Sequence, residues 1–191
     1  MSEVQTRKDQ IHQIATNLFK ERGYTATSMR DLAKEIGVEA ASLYSHISSK
    51  EEILQTVCFN IAQEFFEAIY GVKQLNLTPE EMLCEAIKAH VHVIAHNLDA
   101  APVFLNEWRF LSEPHLTEFK KMRDDYEEEF RQIISNGISN GYFEKKEVAF
   151  TVLTIFSSLN WIYQWYDPQG TKSIDEIGEE LSQIILHGIE K

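Results

Sequence analysis

Apolar residues recur along this chain at three- and four-residue steps, with polar residues on the intervening positions. Ile11, Ile14, Ala15, Leu18 and Phe19 follow that spacing and predict a helix from Thr6 to Arg22, stopped by Gly23. Ser28-Met29-Arg30-Asp31 reads as a variant capping box, with Ser28 capping the N–H of Asp31 while Asp31 reaches back, and it opens a short helix to Ile36. Gly37 supplies a permissive turn, and a second short helix covers Glu39 to His46. Ser49 caps a longer helix, 49–70, through Ile53, Leu54, Val57, Ile61, Phe65 and Phe66.

The Gly71 to Leu77 segment marks a boundary, because Thr78-Pro79-Glu80-Glu81 restarts a helix with a cap and a proline at its first position. Helices are then expected at 79–97, 100–111, 114–140, 145–166 and 173–189. There is no strand-like alternation and no repeat. The expected class is all-α, with a head at 1–50, a body at 51–191, and the 49–70 helix connecting them.

Val148 to Tyr166 is apolar nearly all round, and a helix with no charged face must be covered on several sides. The last helix carries a narrower stripe, Ile174, Ile177, Leu181, Ile184, Ile185, Gly188 and Ile189, with Gly178, Ser182 and Gly188 small enough for close approach. Paired with their copies, these two helices would form a four-helix dimer interface.

The net charge of −12 argues against a protein that coats nucleic acid over its whole surface. Its distribution is uneven: residues 1–50 hold seven Lys/Arg against six Asp/Glu, net +1, which leaves −13 for the other 141. A near-neutral head on an acidic body suits local DNA contact. Charged and polar residues interrupt every apolar run before it reaches bilayer length, and no leader peptide is evident, so a soluble cytoplasmic protein without membrane contact is expected. Cys58 and Cys84 lack metal or disulfide spacing and read as reduced thiols.

The two short helices have the spacing of a helix-turn-helix: Ala33 where they cross, Gly37 at the reversal, Leu43 as anchor, and Leu32, Ile36 and Val38 between. Those residues alone equally suit an ordinary helical hairpin. The surroundings decide: Leu18-Phe19-Lys20-Glu21-Arg22-Gly23-Tyr24, Thr27-Ser28-Met29-Arg30-Asp31-Leu32-Ala33, Gly37-Val38, Leu43-Tyr44 and Ser49-Lys50-Glu51-Glu52-Ile53-Leu54 together resemble the N-terminal domain of the tetracycline-repressor (TetR) family. The resemblance implies a homodimer joined through its last two helices, a pseudo-palindromic double-stranded DNA operator, and a body that binds a small-molecule effector, usually to release repression.

Phosphates require hydroxyl, cationic or helix N-terminal donors, which position a protein without reading sequence. Thr27, Ser28, Ser42, Tyr44, His46 and Lys50 offer such groups, and the resemblance places most of them near the DNA backbone; Arg30 is a further candidate that equally suits pairing with an acid. Base reading falls to Glu39, Ala40, Ala41 and Ser45. The chain departs from the family pattern at Glu39-Ala40, where a hydroxyl residue followed by a basic or small one is common, and at Ile47, where an aromatic is common. Glu39 is expected either to cap the helix or to accept from cytosine N4.

In the body, Phe104, Trp108, Phe110, Phe119, Met122 and Tyr126, with Phe156 and Tyr163 from the apolar segment, suit the lining of an effector cavity or, equally, a filled core. Arg109 and Asn160 are the polar groups among them. A narrower resemblance, carried by Asn160-Trp161-Ile162-Tyr163-Gln164-Trp165-Tyr166-Asp167-Pro168, Gly170 and Ser173 to Ile177, is to TetR-type regulators of fatty-acid and sterol degradation, whose effectors are acyl-CoA thioesters. It implies an acyl chain in the cavity and Arg109 at the CoA phosphates. A drug- or metabolite-responsive efflux repressor is the alternative regulator.

From another class, His92 and His96 share a helix face one turn apart, beside His90, as metal ligands often do. A zinc enzyme of this kind needs a third ligand, such as Glu85, Glu107 or His115, and the residues between the histidines, Val93-Ile94-Ala95, lack the glutamate base of HExxH. No GxxxxGK[ST], GxSxG or GxGxxG occurs. The reading is therefore a regulator without catalytic residues, metal or cofactor.

Overall fold

A computed structural model describes residues 6–188, and these are helical with no strand. The helices are α1 (Arg7–Arg22), α2 (Met29–Ile36), α3 (Ala40–Tyr44), α4 (Lys50–Lys73), α5 (Pro79–His96), α6 (Ala101–Asn106), α7 (His115–Ser139), α8 (Val148–Leu159) and α9 (Ile174–His187), with 3-10 turns at Trp108–Phe110 and Ile162–Gln164. Local chemistry accounts for most of the starts. Thr6, Ser28, Thr78 and Ser173 each form a complete capping box with the acid three residues on, Asp9, Asp31, Glu81 and Glu176. Ser49 Oγ accepts the N–H of Glu52 at 3.2 Å, as its capping role requires.

One compact unit runs up to Ile61 and includes Asp99–Phe119. It thus extends past the boundary expected at residue 50. Its core is built from Ile11, Leu18 and Phe19 of α1, Leu32 of α2, Leu43 of α3, and Ile53 and Leu54 of α4. The α2–α3 turn is a Schellman closure: Val38 N–H reaches Ala33 O at 3.0 Å and Gly37 N–H reaches Lys34 O at 3.2 Å, with Gly37 at φ 75°. Ile47, 1 % exposed, seats the chain beyond α3 in this core, an aliphatic where the family commonly has an aromatic.

The second unit comprises Ala62–Leu98 and the chain from Lys120 onward. Leu83, Ala86, Ile87, His90, Val91, Val93 and Ile94 form the buried stripe of α5. α9 lies along α5, and a Cβ added at Gly178 would stand 3.2 Å from both Lys88 Cγ and Val91 Cγ2. Ser182, fully buried, donates to Gly178 O at 2.7 Å. The small residues of α9 at 178 and 182 therefore bring it against α5 of the same chain, not against a copy. Ile189 lies outside the described residues.

The expected continuous helix at 145–166 is broken. α8 ends at Leu159, and the 3-10 turn that follows carries fully buried Ile162 against α5. Thr151, Thr154, Ser157 and Ser158 each donate to the carbonyl four residues earlier, a pattern that competes with the helical ladder and favours bending. Burying Ile162 is worth about 1.5–3 kcal/mol, enough to favour a turn where the apolar run alone predicted about two more turns of helix. The expected 100–111 helix breaks similarly, into α6 and the turn at Trp108–Phe110.

Candidate functional site

On the first unit, α3 buries Leu43 and turns Ala41, Ser42 and Tyr44 outward, with Tyr44 54 % exposed. Ser45 and His46 continue the exposed surface, and Ala40 is half-buried at its edge. Glu39 is exposed and stands at the N-cap, but its carboxylate makes no capping hydrogen bond, so the expected capping role is not formed. Arg30 is exposed and has no ion-pair partner among the described residues.

Three of the residues expected to donate to phosphate instead spend their donors within the chain. Thr27 is 1 % exposed and its hydroxyl donates to Gly23 O at 2.9 Å. Ser28 gives both its hydroxyl and its N–H to Asp31 Oδ2, at 2.5 and 2.9 Å. Lys50 Nζ donates to Tyr24 O at 2.7 Å and Thr27 O at 2.9 Å, and stands 4.1 Å from the centroid of the Tyr24 ring. Sequence spacing indicated which residues border the motif, but not that the 23–28 loop would present its carbonyls to α4. Among the other cations, Lys8 pairs with Glu52 and Lys20 with Asp99, whereas Lys34 is exposed without an ion-pair partner among the described residues. Lys34 was not singled out from sequence, although its place one turn beyond Arg30 on α2 was a usable signal.

The Asp99–Phe119 segment is tied to this unit by polar and aromatic contacts. Glu51 accepts from Ser112 N–H at 2.7 Å and Ser112 Oγ at 3.0 Å, which holds its carboxyl below the usual range. Phe110 stacks on Tyr24 with centroids 5.7 Å apart. Phe104 and Phe119, both buried, meet edge to face at 5.6 Å, with Phe59 and Trp108 against Phe119. Arg109 is exposed, donates to Asn106 O at 3.1 Å, and lies 4.8 Å from the Trp108 centroid.

In the second unit, Tyr126 and Phe156 are packed in an aromatic cluster with Phe65, Phe130 and His90, and Asn160 is hydrogen-bonded to its edge. Met122 and Tyr163 are half-buried, the latter with its ring 6.5 Å from Trp161. His90 Nδ1 lies 3.2 Å from Tyr126 Oη and His90 Nε2 lies 3.2 Å from Asn160 Oδ1. Burial pushes the imidazole down to about 3, against the favourable bond to Asn160, so the ring is neutral. Sequence reading grouped His90 with the metal candidates; its place in the Leu83, Ile87, His90, Ile94 stripe was the signal for a core position.

His92 and His96 stack with centroids 5.8 Å apart, but His92 Nε2 bonds Asp175 Oδ1 at 2.7 Å and His96 Nδ1 bonds His92 O at 2.7 Å. His90 faces the core instead, and the described residues assemble no group of three metal-ligating side chains. Among them no helix is long and apolar enough to cross a membrane.

Residues 11–57 match the family model for bacterial regulatory proteins of the tetR family, and residues 76–189 match that for the tetracyclin repressor-like C-terminal domain. The chain belongs to the TetR family. It is a DNA-binding transcriptional regulator of that family, which replaces the metal-dependent enzyme alternative. Among relatives of TetR type, it is 26 % identical over 191 residues to the transcriptional repressor KstR2 of Mycobacterium tuberculosis, covering 99 % of this chain and 96 % of that protein. The solved KstR2 structure, described as a ketosteroid transcriptional regulator, superposes with a TM-score of 0.89 at 25 % identity, covering 99 % of this chain and 97 % of the other. The TetR regulator PfmR of Thermus thermophilus superposes with a TM-score of 0.85 at 31 % identity, covering 98 % and 100 %.

Proposed function

We propose that this TetR regulator is a homodimeric repressor that sits on a pseudo-palindromic operator and is released by an acyl-CoA thioester of fatty-acid or sterol origin. The observation that carries the DNA half is the exposed surface of α3 and its extension, Ser42, Tyr44, Ser45 and His46, held by Leu43 and Ile47 on a rigid core. Among the described residues Tyr44, His46, Ser42 and Arg30 keep their donors free for phosphates, and Glu39, Ala41 and Ser45 are exposed to base edges, the Ser45 hydroxyl donating to Ser42 O at 2.7 Å. Similarity to KstR2 over nearly the full length of both proteins supports the effector class.

Dimerisation through α8 and α9 is supported by the large apolar residues they and the intervening turn leave uncovered: Phe150 at 68 %, Leu153 at 55 %, Trp161 at 59 %, Trp165 at 50 % and Ile184 at 53 % exposure. Exposed apolar groups in such number along two helices mark an interface. The effector would shift the population toward a state whose two heads no longer match successive major grooves.

The test is fluorescence anisotropy with the DNA upstream of the protein's own gene, titrated with salt and then with octanoyl-CoA and longer acyl-CoAs. Salt-sensitive binding reversed by a thioester is expected. Absence of DNA binding would remove the operator reading, and binding that no thioester reverses would remove the effector. Light scattering on Leu153→Glu checks the interface: a monomer is expected, and a persistent dimer would place the contact elsewhere.

A further inference from the structure

The body holds a polar chain inside an aromatic shell. His90, 2 % exposed, has Phe65 at 4.5 Å, Phe156 at 5.3 Å and Phe130 at 6.4 Å, centroid to centroid. Its hydrogen bonds fix the direction of every proton in the chain. Asn160 Oδ1 only accepts, so His90 Nε2 carries the hydrogen and donates to it. Nδ1 is then a lone pair, and Tyr126 O–H must donate to it. The last member, Asn160, is half-buried, with its oxygen anchored by His90 and both hydrogens of its Nδ2 without a partner among the described residues.

Burying such a network costs desolvation that an apolar core would avoid, and it fixes an amide whose donor stays uncommitted at the half-buried end of the chain. Tyr126, His90 and Asn160 bring no formal charge to this place. A carboxylate or phosphate seated here would lack compensation, whereas a neutral acceptor needs none. We propose that Asn160 Nδ2 donates to the uncharged carbonyl oxygen of the effector's acyl thioester, with His90 and Tyr126 as positioning residues that aim the amide. The assignment rests on the reading of the body as an acyl-CoA-binding domain.

Asn160→Asp is the discriminating change, because the carboxylate keeps an acceptor for His90 Nε2–H and loses the donors; Asn160→Ala is the companion should the charge disturb folding. Calorimetric titration of the full-length dimer compares butanoyl-, octanoyl- and hexadecanoyl-CoA with the thioether analogues that lack the carbonyl. The wild type is expected to prefer the thioester about tenfold, the net worth of one neutral hydrogen bond. Both variants are expected to lose that preference while keeping operator binding, with a lower melting temperature for Asn160→Ala, which strands the His90 Nε2–H. A preference retained in both variants, or absent in the wild type, overturns the assignment and leaves the effector reading standing. Failure of all three thioesters to bind overturns both.

Discussion

Replacing Lys50 with alanine separates the phosphate role expected from sequence from the loop contact that the structure shows. In the structure its ammonium holds the Tyr24 and Thr27 carbonyls and lies over the Tyr24 ring, so its loss releases two charge-assisted hydrogen bonds and one cation–π contact. Such bonds are worth about 1.5–3 kcal/mol each when fully buried and the ring contact about 0.5–1 kcal/mol. The site is half-exposed and water can replace part of each bond, which brings the expected loss to about 2 kcal/mol. For a chain of 191 residues that corresponds to a melting temperature lower by about 4–8 °C. The second readout is the salt dependence of operator binding at a temperature well below the transition. A phosphate contact lowers the slope of log K against log salt by about 0.9 per protomer when removed, whereas a loop clamp leaves it unchanged. The structure predicts the lower melting temperature with the slope preserved. A reduced slope with an unaltered melting temperature would refute the inward role and restore Lys50 as a phosphate ligand.

Gly178→Leu should loosen α9 from α5, since even a Cβ there meets Lys88 and Val91 at 3.2 Å; a loss of about 1–3 kcal/mol in urea denaturation is expected, and full stability would show that the seam adapts freely. Glu52 accepts from Ser48 N–H, Lys8 and Ser48 Oγ, and these donors hold its carboxyl down to about 2. Its folded value lies below the unfolded one, so its stabilisation is present above about pH 4.5 and lost as pH falls toward 2. Glu52→Gln should therefore flatten the acid limb of urea midpoints against pH, and parallel curves for variant and wild type would contradict this. Glu39→Ala removes no capping bond, so it should leave the melting temperature in place while relaxing preference at one base position by about 1–3 kcal/mol in operator-variant competition. A loss uniform over all operators would leave the base-reading role of Glu39 without support.

The elements that sequence resolves well here are those whose causes are local. Ser28 with Asp31 and Thr78 with Pro79 and Glu81 determine helix starts through atoms within four residues, and Gly37 closes the α2–α3 turn because a left-handed φ is required at that one place. The break after Leu159 has a local component in its back-bonding hydroxyls, but its decisive cause is distant: Ile162 must reach α5, some seventy positions earlier in the chain. Periodicity is blind to that demand. The small residues Gly178 and Ser182 illustrate the same limit, since they announce a close approach without naming the partner, and α5 of the same chain claims it.

The candidate sites obey the same rule more severely, because a side chain's chemistry is set by what surrounds it. Lys50 and His90 are both titratable residues whose types point outward, to phosphate and to metal. In each case burial and carbonyl or amide partners redirect the group: Lys50 to two loop carbonyls, His90 to Tyr126 and Asn160. The partners lie 23 to 26 residues away for Lys50 and 36 to 70 residues away for His90. Asn160 shows the converse. Its residue type equally suited ligand contact or a structural bond, and the structure shows the bond through its oxygen, with the amide nitrogen left uncommitted among the described residues. That division follows from the partners of the neutral His90 ring, with Nε2 facing Asn160 Oδ1 and Nδ1 facing Tyr126 Oη, and so it becomes visible only when α5, α7 and the end of α8 are assembled around it.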